Sequence, residues 1–169
     1  MITRARAYAQ SIIDKGYSVV PLFPNSKDTN DKNWQLKKYK VDNFLDDSNV
    51  GINLLLSGLI DIDLDCELAI HFGNKYLPHN TLMLKRIRPN GKSEISETTH
   101  FFFQNNGILK DNDIKKFRGE TILEYRCNGQ TVVYGPTPYK GDPNIMVRRE
   151  WVNDVKPAYV QNLQEIVNK

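Results

Sequence analysis

Apolar and polar positions alternate along this chain in short blocks, and each block predicts an element. In residues 1–15, Ala5, Tyr8, Ala9 and Ile12 recur at i, i+3, i+4 and i+7, the single apolar stripe of a helix, with Gly16 as its stop. Residues 17–23 are apolar and β-branched and predict a buried strand, which Pro21 places near a sheet edge. Residues 24–33 form a long polar loop that carries Lys27 and Lys32. A basic, aromatic stretch follows over 34–40, then a short helical turn over 42–46.

Residues 49–66 hold two apolar runs hinged at Ser57-Gly58, a pattern that predicts a β-hairpin. Period-two alternation in the second run turns Ile60, Ile62 and Leu64 toward a core and Asp61 and Asp63 together toward the opposite face. Beyond it, Asp65 is placed to cap a helix over 66–76 with Leu68, Ala69, Phe72 and Tyr76 on its apolar side. Residues 81–85 read as a strand. Residues 85–97 read as a charged, irregular loop with a Pro89-Asn90-Gly91 turn and a basic cluster of Arg86, Arg88 and Lys92.

Thr98 to Gln104 is β-branched and aromatic and predicts a strand with Thr98, His100 and Phe102 on one face and Phe101 and Phe103 on the other. Residues 121–126 predict another, with Ile122, Glu124 and Arg126 sharing a face. Asn128-Gly129 is a strong hairpin signal, and residues 130–134 read as the returning partner. A short strand over 149–152 and a helix over 157–167, with Val160, Leu163 and Val167 on one stripe, complete the series.

At 169 residues the chain is long enough for one domain with a core, and 40% hydrophobic and 25% charged content places it among globular proteins. No apolar run spans a membrane and no signal-peptide pattern opens the chain, so a cytoplasmic protein without a membrane partner is expected. Cys66 and Cys127 stand outside any C-x-x-C pair, which argues against zinc and for reduced thiols. A net charge of +3 permits a nucleic-acid partner without demanding one.

Paired carboxylates on a strand face repel one another and are costly to desolvate, and a hard divalent cation relieves both costs. The plainer reading is a solvated strand face with two surface aspartates. Three predicted strands each present polar groups on one face: Asp61 with Asp63, Thr98 with His100, and Glu124 with Arg126. Three carboxylates suit two metal ions, Mg2+ or Mn2+, and His100, Thr98 and Arg126 suit phosphate oxygens. Taken singly, His100 reads as a structural histidine and Glu124 as half of an ion pair with Arg126.

The ordered set resembles the primase–polymerase branch of the archaeo-eukaryotic primase superfamily, found in replication proteins of plasmids and viruses. The resemblance runs from about Ala5 to Trp151. It is carried by Gly16 to Pro21, by Asn49-Val50-Gly51-Ile52, and by Ser57 to Asp63 with its Asp-Ile-Asp. Leu77-Pro78 and Thr81 follow, then Thr98-Thr99-His100 before Phe101-Phe102-Phe103. Glu124-Tyr125-Arg126, Gly129, Val132-Val133, Pro136 and Trp151 close it, with Lys27 and Trp34 as looser matches. Thr98 stands where the family usually has serine, and Glu124 where aspartate is frequent.

The resemblance implies an α/β fold with an RRM-like central sheet and a smaller N-terminal α/β lobe, the active site lying in the cleft between. It implies a catalytic domain over residues 1–155, with the lobe at about 1–47 and a metal-binding lobe at about 48–155. Residues 156–169 would be a helix or a linker to a following domain. Asp61, Asp63 and Glu124 would bind two catalytic metal ions and Thr98 and His100 the incoming nucleotide, with Arg126 added to the nucleotide contacts by its own chemistry. Lys27, Arg88 and Lys92 are candidates for DNA or phosphate contacts. The implied activity is template-directed nucleotidyl transfer from nucleoside triphosphates, on a single-stranded DNA template with its primer. A helicase or helical accessory domain is the implied partner. Two other readings compete: a metal-dependent nuclease, weakened by Arg126 where lysine is expected, and a non-catalytic single-strand- or origin-binding module with Phe102 and tyrosines as stacking platforms.

Overall fold

The computed structural model describes residues 3–162, with the backbone alone for Phe117 and Glu120. It is a mixed α/β structure dominated by antiparallel strands, and its chain divides into two compact units, each assembled from three segments. The first comprises Met1–Ser57, Arg86–Ser96 and Gly129–Glu150; the second, Gly58–Lys85, Glu97–Asn128 and Trp151–Lys169. No described helix is long and apolar enough to cross a membrane.

In the first unit, helix α1 (Arg4–Asp14) begins where the Thr3 hydroxyl accepts the Arg6 N–H, and it buries Ala5, Ala9 and Ile12, the stripe expected from spacing. A three-stranded antiparallel sheet follows, in the order β1 (Val19–Leu22), β2 (Asn49–Asn53), β8 (Gln130–Tyr134). Strand β2 is wholly buried, and its two asparagines bind the loop that precedes it. Asn49 Nδ2 donates to the carbonyls of Ser26 at 3.0 Å and Pro136 at 2.7 Å, and Asn53 Nδ2 donates to Gln35 at 3.0 Å. Gly135, at φ +91°, lets the chain pass Asn49, since a Cβ there would stand 1.8 Å from Asn49 Oδ1. Within the loop, Asp31 accepts from Lys37 Nζ at 2.5 Å and Tyr39 OH at 2.7 Å.

In the second unit β3 (Leu59–Leu64) lies between β7 (Glu120–Arg126) and β5 (Ser93–Gln104), with β6 (Asp113–Phe117) and β4 (Leu82–Asn90) outside them; residues 82–85 of β4 and 97–104 of β5 are the parts that belong to this unit. Ile60, Ile62, Leu64, Phe101, Phe103 and Tyr125 form its apolar core, against which helix α3 (Glu67–Tyr76) sets Ala69 and Ile70. Helix and strand approach closely at Gly73, where a Cβ would fall 2.4 Å from Leu64 Cδ1. That approach turns Ala69, Ile70 and Gly73 inward, so of the predicted stripe Ala69 alone is buried. Leu68, Phe72 and Tyr76 are 57, 47 and 46% exposed and border an apolar groove of about 260 Å³.

Two predicted hairpins do not form. After β2, Asn53 Oδ1 accepts the Leu56 N–H and caps a one-turn helix, α2 (Leu54–Ser57), so β2 and β3 join different sheets. After β7, the chain turns at Gly129 and β8 pairs with β2. Residues 85–97, expected as an irregular loop, are the outer parts of β4 and β5, and of that expectation only the turn forms, at Gly91 and Lys92. In these strands Arg86 and Arg88 lie over the Tyr139 ring, and Arg148 of β10 (Met146–Trp151), the strand that pairs with β9 (Thr137–Pro138), is bridged to Glu94. Asp65 does not cap α3: its N–H bonds Ile122 O and prolongs the β3–β7 ladder, leaving Cys66 at the cap. Residues 157–162 are not helical. Ala158 bridges to Phe103, its N–H donates to Thr81 Oγ1 at 2.8 Å, and Val160 enters the core. The remainder of that predicted helix, 163–167, lies outside the described residues.

Candidate active site

Strand register assembles the site within the second unit. Directly opposed residues of an antiparallel pair share a sheet face. Asp61 stands opposite Phe102 on β5 and Arg126 on β7; Asp63 stands opposite His100 and Glu124. Between them Ile62 pairs with Phe101 and Tyr125 on the apolar face. The alternation read from each strand separately thus becomes one polar face carrying Asp61, Asp63, His100, Glu124 and Arg126. Thr98 lies on the same face of β5 by alternation, and its carbonyl accepts the Asn74 amide at 3.0 Å.

The charges on this face are held together by direct contacts. Arg126 Nη2 lies 2.5 Å from Asp61 Oδ2 and 3.1 Å from Asp63 Oδ2. His100 Nδ1 lies 3.2 Å from both oxygens of Asp61 and 3.5 Å from Asp63 Oδ1. An ionised carboxylate only accepts, so Nδ1 is the protonated ring nitrogen in this contact. The Asp61 side chain is fully buried, while that of Asp63 is 20% exposed and that of Arg126 18%. Burial opposes the charge on Arg126. The carboxylates of Asp61 and Asp63, and then Glu124, outweigh it and hold the guanidinium above its ordinary pKa. Phe102 packs beneath His100, and Trp151 packs against Phe102, with ring centroids 6.3 and 5.8 Å apart. Phe102 is itself fully buried, which removes it as a stacking platform for bases.

Three carboxylates at interlocked register supply the hard oxygen donors that Mg2+ or Mn2+ prefers, so the residues fit such ions by their chemistry. Among the described residues, however, no three acidic, histidine or cysteine groups are gathered as a ready metal site. Arg126 bridges two of the carboxylates instead. The sequence pattern marks Arg126 as a phosphate contact or as the ion-pair partner of Glu124, not as a partner of Asp61. Its place opposite Asp61 follows from the β3–β7 register, which a single sequence does not display.

The basic candidates are not part of this face. Lys27 is exposed on the loop after β1, where its carbonyl accepts the Gln130 amide at 2.7 Å. Arg88 stacks on Tyr139, and Lys92 is exposed in the β4–β5 turn. All three belong to the first unit.

Paired carboxylates flanked by histidine and arginine on one sheet face set acidic groups beside groups whose chemistry suits phosphate oxygens. The model of one family, the N-terminal domain of bifunctional DNA primase/polymerases (Prim-Pol), matches residues 9–162, and the chain belongs to that family. No curated protein matches it.

Proposed function

We propose that this chain is the catalytic domain of a DNA primase/polymerase that joins nucleotides from nucleoside triphosphates onto a primer along a single-stranded DNA template. The supporting observation is the interlocked register of Asp61, Asp63, His100, Glu124 and Arg126 on three adjacent strands. Asp61, Asp63 and Glu124 would hold two Mg2+ or Mn2+ ions. Bound there, such ions supply charge neutralisation at the attacking hydroxyl and the leaving pyrophosphate. Asp61 and Asp63 lie on β3, which has a strand on either side, and would form the metal side of the face. His100, with Nδ1–H directed at the carboxylates, would meet a triphosphate oxygen through Nε2 as the imidazolium, the only form in which both ring nitrogens donate. Thr98 adds a hydroxyl on the same strand face, and Arg126 a guanidinium. In this reading the catalytic domain spans residues 1–155, its sheet is the RRM-like core of the superfamily, and Lys27, Arg88 and Lys92 meet the DNA backbone. Its setting is the replication of a plasmid or virus, with a helicase or helical accessory domain as partner.

The test is incorporation of labelled nucleotide on a primed template, with Mn2+ or Mg2+ added back after chelation. Parent protein extends the primer, and the Asp61→Ala, Asp63→Ala double variant does not. Shortening of the primer instead would establish a nuclease. DNA binding without any metal-dependent chemistry would establish a binding module.

A further inference from the structure

We infer that Arg126 is a built-in stand-in for the metal: its guanidinium clamps Asp61 and Asp63 in the metal-free protein and must leave them before a divalent ion can enter. This rests on the metal-binding reading of the same carboxylates. One amino group, Nη2, reaches Asp61 Oδ2 at 2.5 Å and Asp63 Oδ2 at 3.1 Å, and those oxygens are the ligands a cation would need. The Asp61 side chain has no solvent exposure, and a cationic partner at contact distance offsets the cost of its desolvation. Arg126 lies directly opposite Asp61 across the β3–β7 pair, so it is delivered to the carboxylates by the backbone ladder itself. Displaced from them, it remains on the face where the triphosphate is proposed to sit.

Competition of this kind has a sign opposite to that of an ordinary supporting residue. Removing a residue that merely props up a metal site weakens metal binding; removing a competitor strengthens it. The full chain is stripped with chelator and titrated with Mn2+ alone, the free ion being read by electron paramagnetic resonance. Arg126→Gln is expected to bind Mn2+ about ten- to a hundredfold more tightly than the parent, the equivalent of one charge-assisted hydrogen-bonded contact no longer displaced. Arg126→Lys keeps the charge and should fall between the two. A melting curve of each variant in metal-free buffer confirms that it is folded. Should Arg126→Gln lose its fold, the comparison rests on Arg126→Lys, which still predicts tighter binding than the parent. Adding Asp61→Asn to either variant should abolish the gain.

Equal or weaker Mn2+ affinity in both Arg126 variants, while the parent binds the ion and Asp61→Asn does not, overturns the inference and leaves the metal reading standing. Absence of Mn2+ binding in parent and variants alike overturns the metal reading, and the inference with it.

Discussion

Removing Asp61 from the metal-free protein should lower its stability sharply. The bare sequence suggests the reverse, since two neighbouring carboxylates repel and deleting one relieves that. The structure gives Asp61 two positive or proton-bearing partners, Arg126 Nη2 at 2.5 Å and His100 Nδ1 at 3.2 Å, around a side chain with no exposure. In Asp61→Ala the Arg126 charge stays behind with Asp63 at 3.1 Å and the carboxylate charge of Glu124. Breaking a buried pair from one side costs about 3–5 kcal/mol. The Arg126 side chain keeps 18% of its exposure and Asp63 still contacts it, so the lower end, about 3 kcal/mol, is expected. For a domain of this size that lowers Tm by about 6–12 °C.

The assay is thermal unfolding in chelator at low ionic strength for the parent, Asp61→Ala, Arg126→Met and the double variant. A cycle over the four isolates the pair, and the double variant should lose less than the two single losses combined. Asp63→Ala, which removes a 3.1 Å contact from a partly exposed carboxylate, should cost about 1 kcal/mol. A Tm for Asp61→Ala within about 1 °C of the parent would refute the argument, because no clamp between Asp61 and Arg126 could then carry appreciable energy.

Gly135→Ala should destabilise by about 2–4 kcal/mol in urea unfolding, because it combines φ +91° with a Cβ set into the Asn49 amide; Gly129→Ala, at φ +98° but facing open space, should cost less. Thr81→Val should cost about 1–3 kcal/mol, since the buried Thr81 hydroxyl donates to Phe102 O and accepts from the Ala158 N–H; hydrogen exchange at Ala158 should rise with it. Asp31 is held at about 2, below its ordinary 3.8, by the hydrogen bond from Lys37 and then that from Tyr39. A depressed carboxylate stabilises above its unfolded pKa and loses that contribution as pH falls through the folded one. The Tm gap between parent and Asp31→Asn should therefore be full above about pH 5 and close as pH approaches 2.

The alternation of Asp61 and Asp63 with Ile60, Ile62 and Leu64 was legible because it needs only the period of a strand. The same holds for the Thr98-to-Gln104 and Glu124-to-Arg126 faces and for the stripe of α1. Turn chemistry was legible as backbone geometry but not as pairing. Gly58 and Gly129 do take φ of +62° and +98°, as tight turns require, yet neither joins two paired strands. Partner choice depends on contacts distant in sequence: Leu54 N–H bonds Gly129 O, and β8 finds β2. Charge misled over 85–97, where side chains that satisfy one another across strands permit a ladder in a stretch with little apolar content. For α3, the decisive feature was the absence of a side chain at Gly73, which set the contact face against the larger apolar residues.

Arg126 also bears on the choice between polymerase and nuclease chemistry. A restriction-type site would place a lysine two residues after its glutamate, and the chain has arginine there. The two are not equivalent against paired carboxylates. An ammonium is a compact, strongly hydrated point charge whose pKa falls readily on burial, which suits it to activating a water. A guanidinium is more weakly hydrated, stays charged when buried, and presents several N–H groups in one plane. Here its Nη2 alone reaches both Asp61 and Asp63, and the surrounding carboxylates hold it firmly protonated. A group so fixed in charge has no proton to exchange at neutral pH and cannot act as a general base. What it can do is neutralise anions: the carboxylates when the metal is absent, and phosphate oxygens when it is displaced. In the proposed function that division of labour suits the handling of a triphosphate, with Arg126 as a substrate contact and not a group that activates a water.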